Sequence, residues 1–302
     1  MSVSEWILNT LNRIHDSNTV NRVNLGMTSP IFQSGSKWRF SDLVLLAILT
    51  VLYFVTYDLP PFQRQFYIND LTISHPFATK ETVSNTELFV YAVWVPLLII
   101  FVVSMILTRP KYKIYHTYVA LLGLCLSVFI TSITTNILKN FIGRHRPDFL
   151  ARCVPKPDTL PDVLVFAKDV CTTEDMGLLL DGFRTTPSGH SSISFAGLLY
   201  LSLWLGGQLV INSEAVGSWR SLVSFLPSFC AALIAISRTE DYRHHFVDVI
   251  IGSILGAAIG WWSYFRLFPS LYSEKCYNPI LTNLEESDDK IDNPGYSLVE
   301  NV

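Results

Sequence analysis

Six blocks of apolar residues, at about 43–58, 89–108, 116–138, 190–211, 221–237 and 246–267, limit what this chain of 302 residues can become. In an ordinary soluble domain, apolar residues fall in stripes; here they fill whole segments. At 1.5 Å per residue, about 20 residues cross a hydrocarbon layer of about 30 Å, so the second, third, fourth and sixth blocks span as they stand. The first and fifth need their flanks. Within lipid the backbone must satisfy its own hydrogen bonds, which restricts such blocks to helices. The expected fold is all-α, a bundle of six transmembrane helices.

The composition agrees, at 50% hydrophobic and only 16% charged residues, poorer in charge than an average soluble domain. Lys and Arg are scattered over the loops rather than gathered on one face, which argues against a nucleic-acid partner. Three regions follow: an N-terminal segment over residues 1–41, a six-span domain over 42–268 and an acidic tail over 269–302. In the first, Val3, Trp6, Ile7, Leu11 and Ile14 fall near one helical face, the pattern of an interfacial helix or of a loosely ordered terminus. Late in the tail, over residues 285–292, Glu285, Glu286, Asp288, Asp289 and Asp292 are opposed only by Lys290, as in a solvated, disordered end. The first membrane helix is expected to serve as its own targeting signal.

Polar residues interrupt this pattern at three places: Lys139…Arg146-Pro147, Pro187-Ser188-Gly189-His190, and Ser237-Arg238…His244…Asp248. In a six-span topology all three fall on one membrane face. Lys139 and Arg146 lie seven residues apart, two turns and one face if the helix continues. Ser188 is placed as a helix N-cap, where free backbone amides and the helix dipole favour an anion, and Gly189 permits close backbone approach. His190 can protonate a leaving group. His244 and Asp248 stand at i, i+4, so the carboxylate can orient an imidazole that attacks phosphorus, and Arg238 can grip phosphate oxygens with its guanidinium fork. His245 receives no role. Each block has a plain structural reading, as a snorkelling cation, a capped helix or a packed histidine. Their convergence favours chemistry. Gly252, Gly256 and Gly260 continue the spacing of four from His244 and Asp248, a small-residue ridge suited to close helix packing.

The order K-x6-R-P, P-S-G-H, S-R-x5-H-x3-D resembles the signature of the type 2 phosphatidic acid phosphatase superfamily, shared with vanadium haloperoxidases. The stretches Arg64 to Pro76, Lys168 to Thr173 and Asp181 to Thr186 resemble more narrowly the fungal diacylglycerol pyrophosphate phosphatases. The resemblance covers about Pro30 to Phe268. It implies a helical core like that of the haloperoxidases, with His244 as nucleophile, His190 as acid and Asp248 as orienting carboxylate. Lys139, Arg146, Ser188, Gly189 and Arg238 would hold phosphate. It also implies a metal-independent reaction with no cofactor, phospholipid phosphates as substrates, and a vacuolar membrane. A channel or a silent scaffold is the alternative class, but it would place polar or broken helices at the membrane midplane rather than at one face.

Sidedness rests on Arg109-Pro110-Lys111-Tyr112-Lys113, a short basic turn that favours the cytosol and puts the motif face on the other side. Cys153 and Cys171 share one hydrophilic loop on that face; they pair if it meets an oxidising lumen and stay reduced otherwise. Cys125 and Cys230 sit in apolar runs as packing residues. A homo-oligomer is among the arrangements left open.

Overall fold

The computed structural model describes residues 38–282. The chain divides into two units, Met1–Leu45 and Leu46–Val302. In the first, the described part is the start of helix α1 (Phe40–Tyr57), where Arg39 pairs with Asp42 at 3.3 Å. The expected interfacial helix lies outside the described residues.

The second unit is helical, with isolated bridges and no strand among its described residues. After the remainder of α1 come α2 (Asn85–Leu107, with one π-helical turn at Val90–Trp94) and α3 (Lys113–Ile142). Three short helices follow, α4 (Phe149–Cys153), α5 (Ala167–Val170) and α6 (Met176–Asp181). The long helices α7 (Gly189–Gln208), α8 (Trp219–Glu240) and α9 (Phe246–Leu267) complete the order.

Five helices, α1, α2, α3, α8 and α9, are long and apolar enough to cross a membrane, which makes this a multi-pass membrane protein. Expectation named α7 as another span, and its composition explains why it stands apart. It is the central helix, packed against α3, α8 and α9, and it buries Ser191, Ser192, Ser194 and Ser202. Their hydroxyls serve the bundle: Ser192 meets Thr135 at 2.8 Å, and Ser202 accepts from Ser228 at 2.8 Å. A helix enclosed by protein can trade apolar side chains for small, hydrogen-bonding ones.

The glycine ridge of α9 faces this central helix. A methyl built on Gly252 would meet the Ser188 carbonyl at 2.5 Å, one on Gly256 would overlap the Ser192 carbonyl, and one on Gly260 would stand 3.1 Å from the Ala196 carbonyl. The ridge therefore packs against the helix whose first turn carries the P-S-G-H block. On the other side of α7, Gly197 meets the carbonyl of Ala92 in the π-helical turn of α2.

Over the motif end of the bundle sits a second, smaller core in which Phe66, Ile73, Phe149, Leu179 and Phe183 are buried. The disulfide Cys153–Cys171 staples it, resolving the pairing that the sequence left open. At the opposite end, residues 269–282 form turns and a short helical stretch. Cys276 is buried there, and the Tyr277 carbonyl accepts from Gln208 at 2.8 Å. The start of the expected tail is thus anchored, while its acidic residues lie outside the described region.

Candidate active site

The C-terminal ends of α3 and α8 and the N-terminal ends of α7 and α9 meet around a cavity of about 760 Å³. Lys139, Arg146, Gly189, His190, Arg238 and His244 line it, together with Glu81, Asp181 and Arg184. Tyr53, Phe54, Leu88, Phe89 and Ile193 form an apolar wall. Ser188 and Asp248 do not line it and are fully buried behind it.

Each element end delivers its residue for a local reason. Helix α3 stops at Ile142 because Gly143 adopts a left-handed conformation (φ 58°) as its C-cap, a position that suits glycine. The expectation that Lys139 and Arg146 share a helix face is therefore corrected. Lys139 sits in the last turn of α3, whereas Arg146 follows the break, its backbone amide donating to the Gly182 carbonyl at 2.8 Å. Ser188 caps α7 as expected and accepts from the Ser191 amide, which spends its hydroxyl on the helix. Lys139 Nζ lies 3.3 Å from the point where a Gly189 Cβ would stand, so the missing side chain leaves room for the ammonium beside the first turn of α7.

The i, i+4 reading of His244 and Asp248 is also corrected. Helix α9 begins at Phe246 with His245 as its N-cap, so His244 precedes the helix. Asp248 accepts from the His245 amide at 2.9 Å and faces His245 Nδ1 at 3.0 Å. It also receives the hydroxyl of Thr185 at 2.7 Å, the hydroxyl of Thr186 and the Arg144 guanidinium at 3.1 Å. His244 is oriented by Thr185 instead: its Nδ1 lies 2.7 Å from the Thr185 carbonyl and 3.2 Å from the Thr185 hydroxyl. A carbonyl can only accept, so Nδ1 carries the proton and Nε2 keeps its lone pair. Asp248 reaches the nucleophile candidate through Thr185.

Burial, followed by the charges of Arg146, Lys139 and Arg238, holds the His244 imidazole well below its ordinary value. It is neutral at neutral pH, as a nitrogen nucleophile must be. Histidine-labelled protein in detergent micelles, with His244→Gln for assignment, should show this resonance still neutral at pH 6. A midpoint at about 6.5 or above would contradict the geometry.

The cations differ in how they are held. Arg146 gives Nε to the Asp181 carbonyl and Nη2 to the Asp181 carboxylate, both at 2.9 Å. Burial alone would raise the Asp181 carboxyl, but the Arg146 and Arg152 guanidiniums, with the Lys139 ammonium, hold it well below the usual range. Arg238 pairs with Glu81 at 2.8 Å and donates to the Val83 carbonyl at 2.9 Å, and its Nε is buried without an acceptor among the described residues. The same carbonyl lies 3.0 Å from His190 Nε2, so the Val83 backbone fixes the edge of that imidazole as well. Lys139 has no hydrogen bond or ion pair among the described residues.

Residues 120–270 match the model of the PAP2 superfamily. Diacylglycerol pyrophosphate phosphatase 1 of Saccharomyces cerevisiae is 53% identical over 262 residues, covering 87% of this chain and 90% of that protein. The chain belongs to the PAP2 superfamily. A probable diacylglycerol pyrophosphate phosphatase 1 of Schizosaccharomyces pombe is 39% identical over 77% of this chain and 82% of its own. Probable lipid phosphate phosphatase 4 of Arabidopsis thaliana is 34% identical over 79% and 75%. No solved structure matches the chain.

Within this PAP2 chain, the cavity gathers six of the eight residues that spacing and resemblance selected, and Ser188 and Asp248 support it from behind. Sequence reasoning gave no role to Thr185, Asp181, Arg184, Glu81 or Val83, and none to His245, which proves to cap α9. The first three lie in the Asp181 to Thr186 stretch that carried the narrower resemblance. That likeness was the available signal, since loop residues have no periodicity to reveal where they point.

Proposed function

We propose that this chain is a membrane lipid phosphatase that removes the β-phosphate of diacylglycerol pyrophosphate and then dephosphorylates phosphatidate to diacylglycerol. One observation carries the reading: a neutral His244, its Nδ1 proton committed to Thr185, presents its free nitrogen to a cavity lined by Lys139, Arg146 and Arg238. The Saccharomyces relative, a diacylglycerol pyrophosphate phosphatase, and the Schizosaccharomyces relative, a probable one, supply the substrate. The apolar wall of Tyr53, Phe54, Leu88 and Phe89 beside the cations suits a lipid phosphate.

In the proposed reaction His244 Nε2 attacks phosphorus in line, and the bond from phosphorus to the bridging oxygen breaks. Lys139, Arg146, Arg238 and the backbone at Gly189 stabilise the charge that gathers on the equatorial oxygens. His190, anchored through Nε2–H to the Val83 carbonyl, acts as the imidazolium formed once the phosphate dianion is bound beside it: its Nδ1–H passes to the leaving oxygen and leaves the ring neutral. Water then hydrolyses the phosphohistidine, with the same imidazole acting as base. Asp248 and the buried cap Ser188 hold this framework in place. No divalent metal takes part, because fixed cations supply the charge.

The finer placement belongs to the same proposal. Helix α7 is the sixth span, enclosed by the other helices, with a core arranged like that of the haloperoxidases. The motif face lies in the lumen of the vacuole. The Cys153–Cys171 disulfide on that face supports an oxidising side.

Detergent-purified protein in EDTA should release phosphate from diacylglycerol pyrophosphate and from phosphatidate. Absence of release from both lipids would overturn the reading. Vanadate, which takes the trigonal-bipyramidal shape of the transition state, should inhibit competitively, and insensitivity to it would count against the oxyanion site.

A further inference from the structure

The cavity holds one arginine that the mechanism above leaves unused. Arg184 lines the same wall as Lys139 and Asp181, yet unlike Arg146 and Arg238 it has no carboxylate partner among the described residues. One edge of its guanidinium is fixed: Nε donates to Asn140 Oδ1 at 3.0 Å, and Nη2 donates to the Leu59 carbonyl at 2.8 Å. Nη1 makes no hydrogen bond among the described residues. Asn140 is itself pinned, with Nδ2 donating to the Thr56 carbonyl at 3.2 Å.

This arrangement has the properties of a built anion subsite. The guanidinium is preorganised by neutral acceptors, which hold its geometry without neutralising its charge. It stands within electrostatic reach of Lys139, the other cavity cation without a counterion. It is also held at the ends of α1 and α3, in the cavity whose apolar wall includes Tyr53 and Phe54 of α1. A ligand with one phosphoryl group at His244 and an apolar tail toward α1 would carry its second phosphoryl group past this point.

We infer that Arg184, set by Asn140, forms a second phosphate subsite that holds the non-transferred phosphoryl group of a diphosphate-bearing lipid. This inference rests on the proposed function. The subsite makes the protein prefer diphosphates over monoesters, because a monoester presents only a neutral ester oxygen there. It also stabilises the departing phosphate, since charge grows on that group as the bridging bond breaks.

The test compares kcat/KM for diacylglycerol pyrophosphate and phosphatidate in wild type and in Arg184→Gln, with melting in detergent as a folding control. The ratio of diphosphate to monoester should fall about tenfold in the variant. An unchanged or increased ratio overturns the subsite. Should the variant fail to fold, the wild type still decides: at constant ionic strength, inorganic pyrophosphate should compete at least about tenfold more tightly than orthophosphate, and equal competition would overturn it. A wild type inactive on both lipids would instead overturn the proposed function, which keeps the two failures apart.

Discussion

His244→Ala should lower phosphate release from diacylglycerol pyrophosphate by about 10⁴-fold or more, the scale of loss expected when a covalent nucleophile is removed. The loss should fall on kcat rather than KM, since Lys139, Arg146 and Arg238 would still bind the phosphate. Among the described residues His244 Nδ1 meets only Thr185, so the substitution removes little that supports the fold, and melting in detergent should change far less than activity. Retention of more than about one percent of wild-type kcat would be incompatible with a phosphohistidine route. Asp248 offers a contrast. It accepts from Thr185, Thr186, Arg144 and His245 at once, so Asp248→Ala should damage activity and stability together.

Gly256→Leu should prevent formation of the native bundle. Its Cβ would occupy the place of the Ser192 carbonyl in the central helix, and a backbone atom inside a helix cannot rotate aside as a side chain can. Overpacking a core typically costs about 1–3 kcal/mol; displacing one helix from another should exceed that, against a total stability of about 5–15 kcal/mol. Alanine should reveal a gradient along the ridge, with Gly256→Ala most damaging, Gly252→Ala next and Gly260→Ala mildest, following the spacing to the α7 carbonyls. Ile254→Leu, on the exposed side of α9, is the control and should be nearly neutral. Thermal denaturation in detergent reads all of these. A ridge that accepts leucine without loss would mean that α9 does not pack against α7 through its glycines.

The ridge was legible in the sequence because small residues at a spacing of four announce close packing whatever the partner. The partner was not legible, and it proved to be the helix that carries His190. The two errors at the site have local causes. Spacing alone placed His244 and Asp248 on one helix, but the capping box formed by His245 and Asp248 starts α9 at Phe246 and leaves His244 outside. Spacing likewise joined Lys139 to Arg146, but Gly143 ends α3 between them. In both cases the residues still converge because the loop that follows turns back on the cavity. The role of Thr185 and the placement of Arg184 depend on contacts with residues 44 and more positions away. No local pattern encodes such contacts. Helix α7 shows the reverse: surrounded by protein, it carries buried serines in place of apolar side chains, so of the six long helices the one that bears His190 is the one whose composition falls short of a membrane span.

A rapid-quench experiment would trap the phosphohistidine itself. Purified protein is mixed in EDTA with diacylglycerol pyrophosphate labelled in the β-phosphate, denatured in alkali within the first turnover, and digested for peptide mapping. An acid-labile, alkali-stable phosphoryl group should appear on the peptide containing His244 and be absent from His244→Ala. Phosphate released in the first turnover with no label on that peptide, or label on His190 in its place, would contradict it.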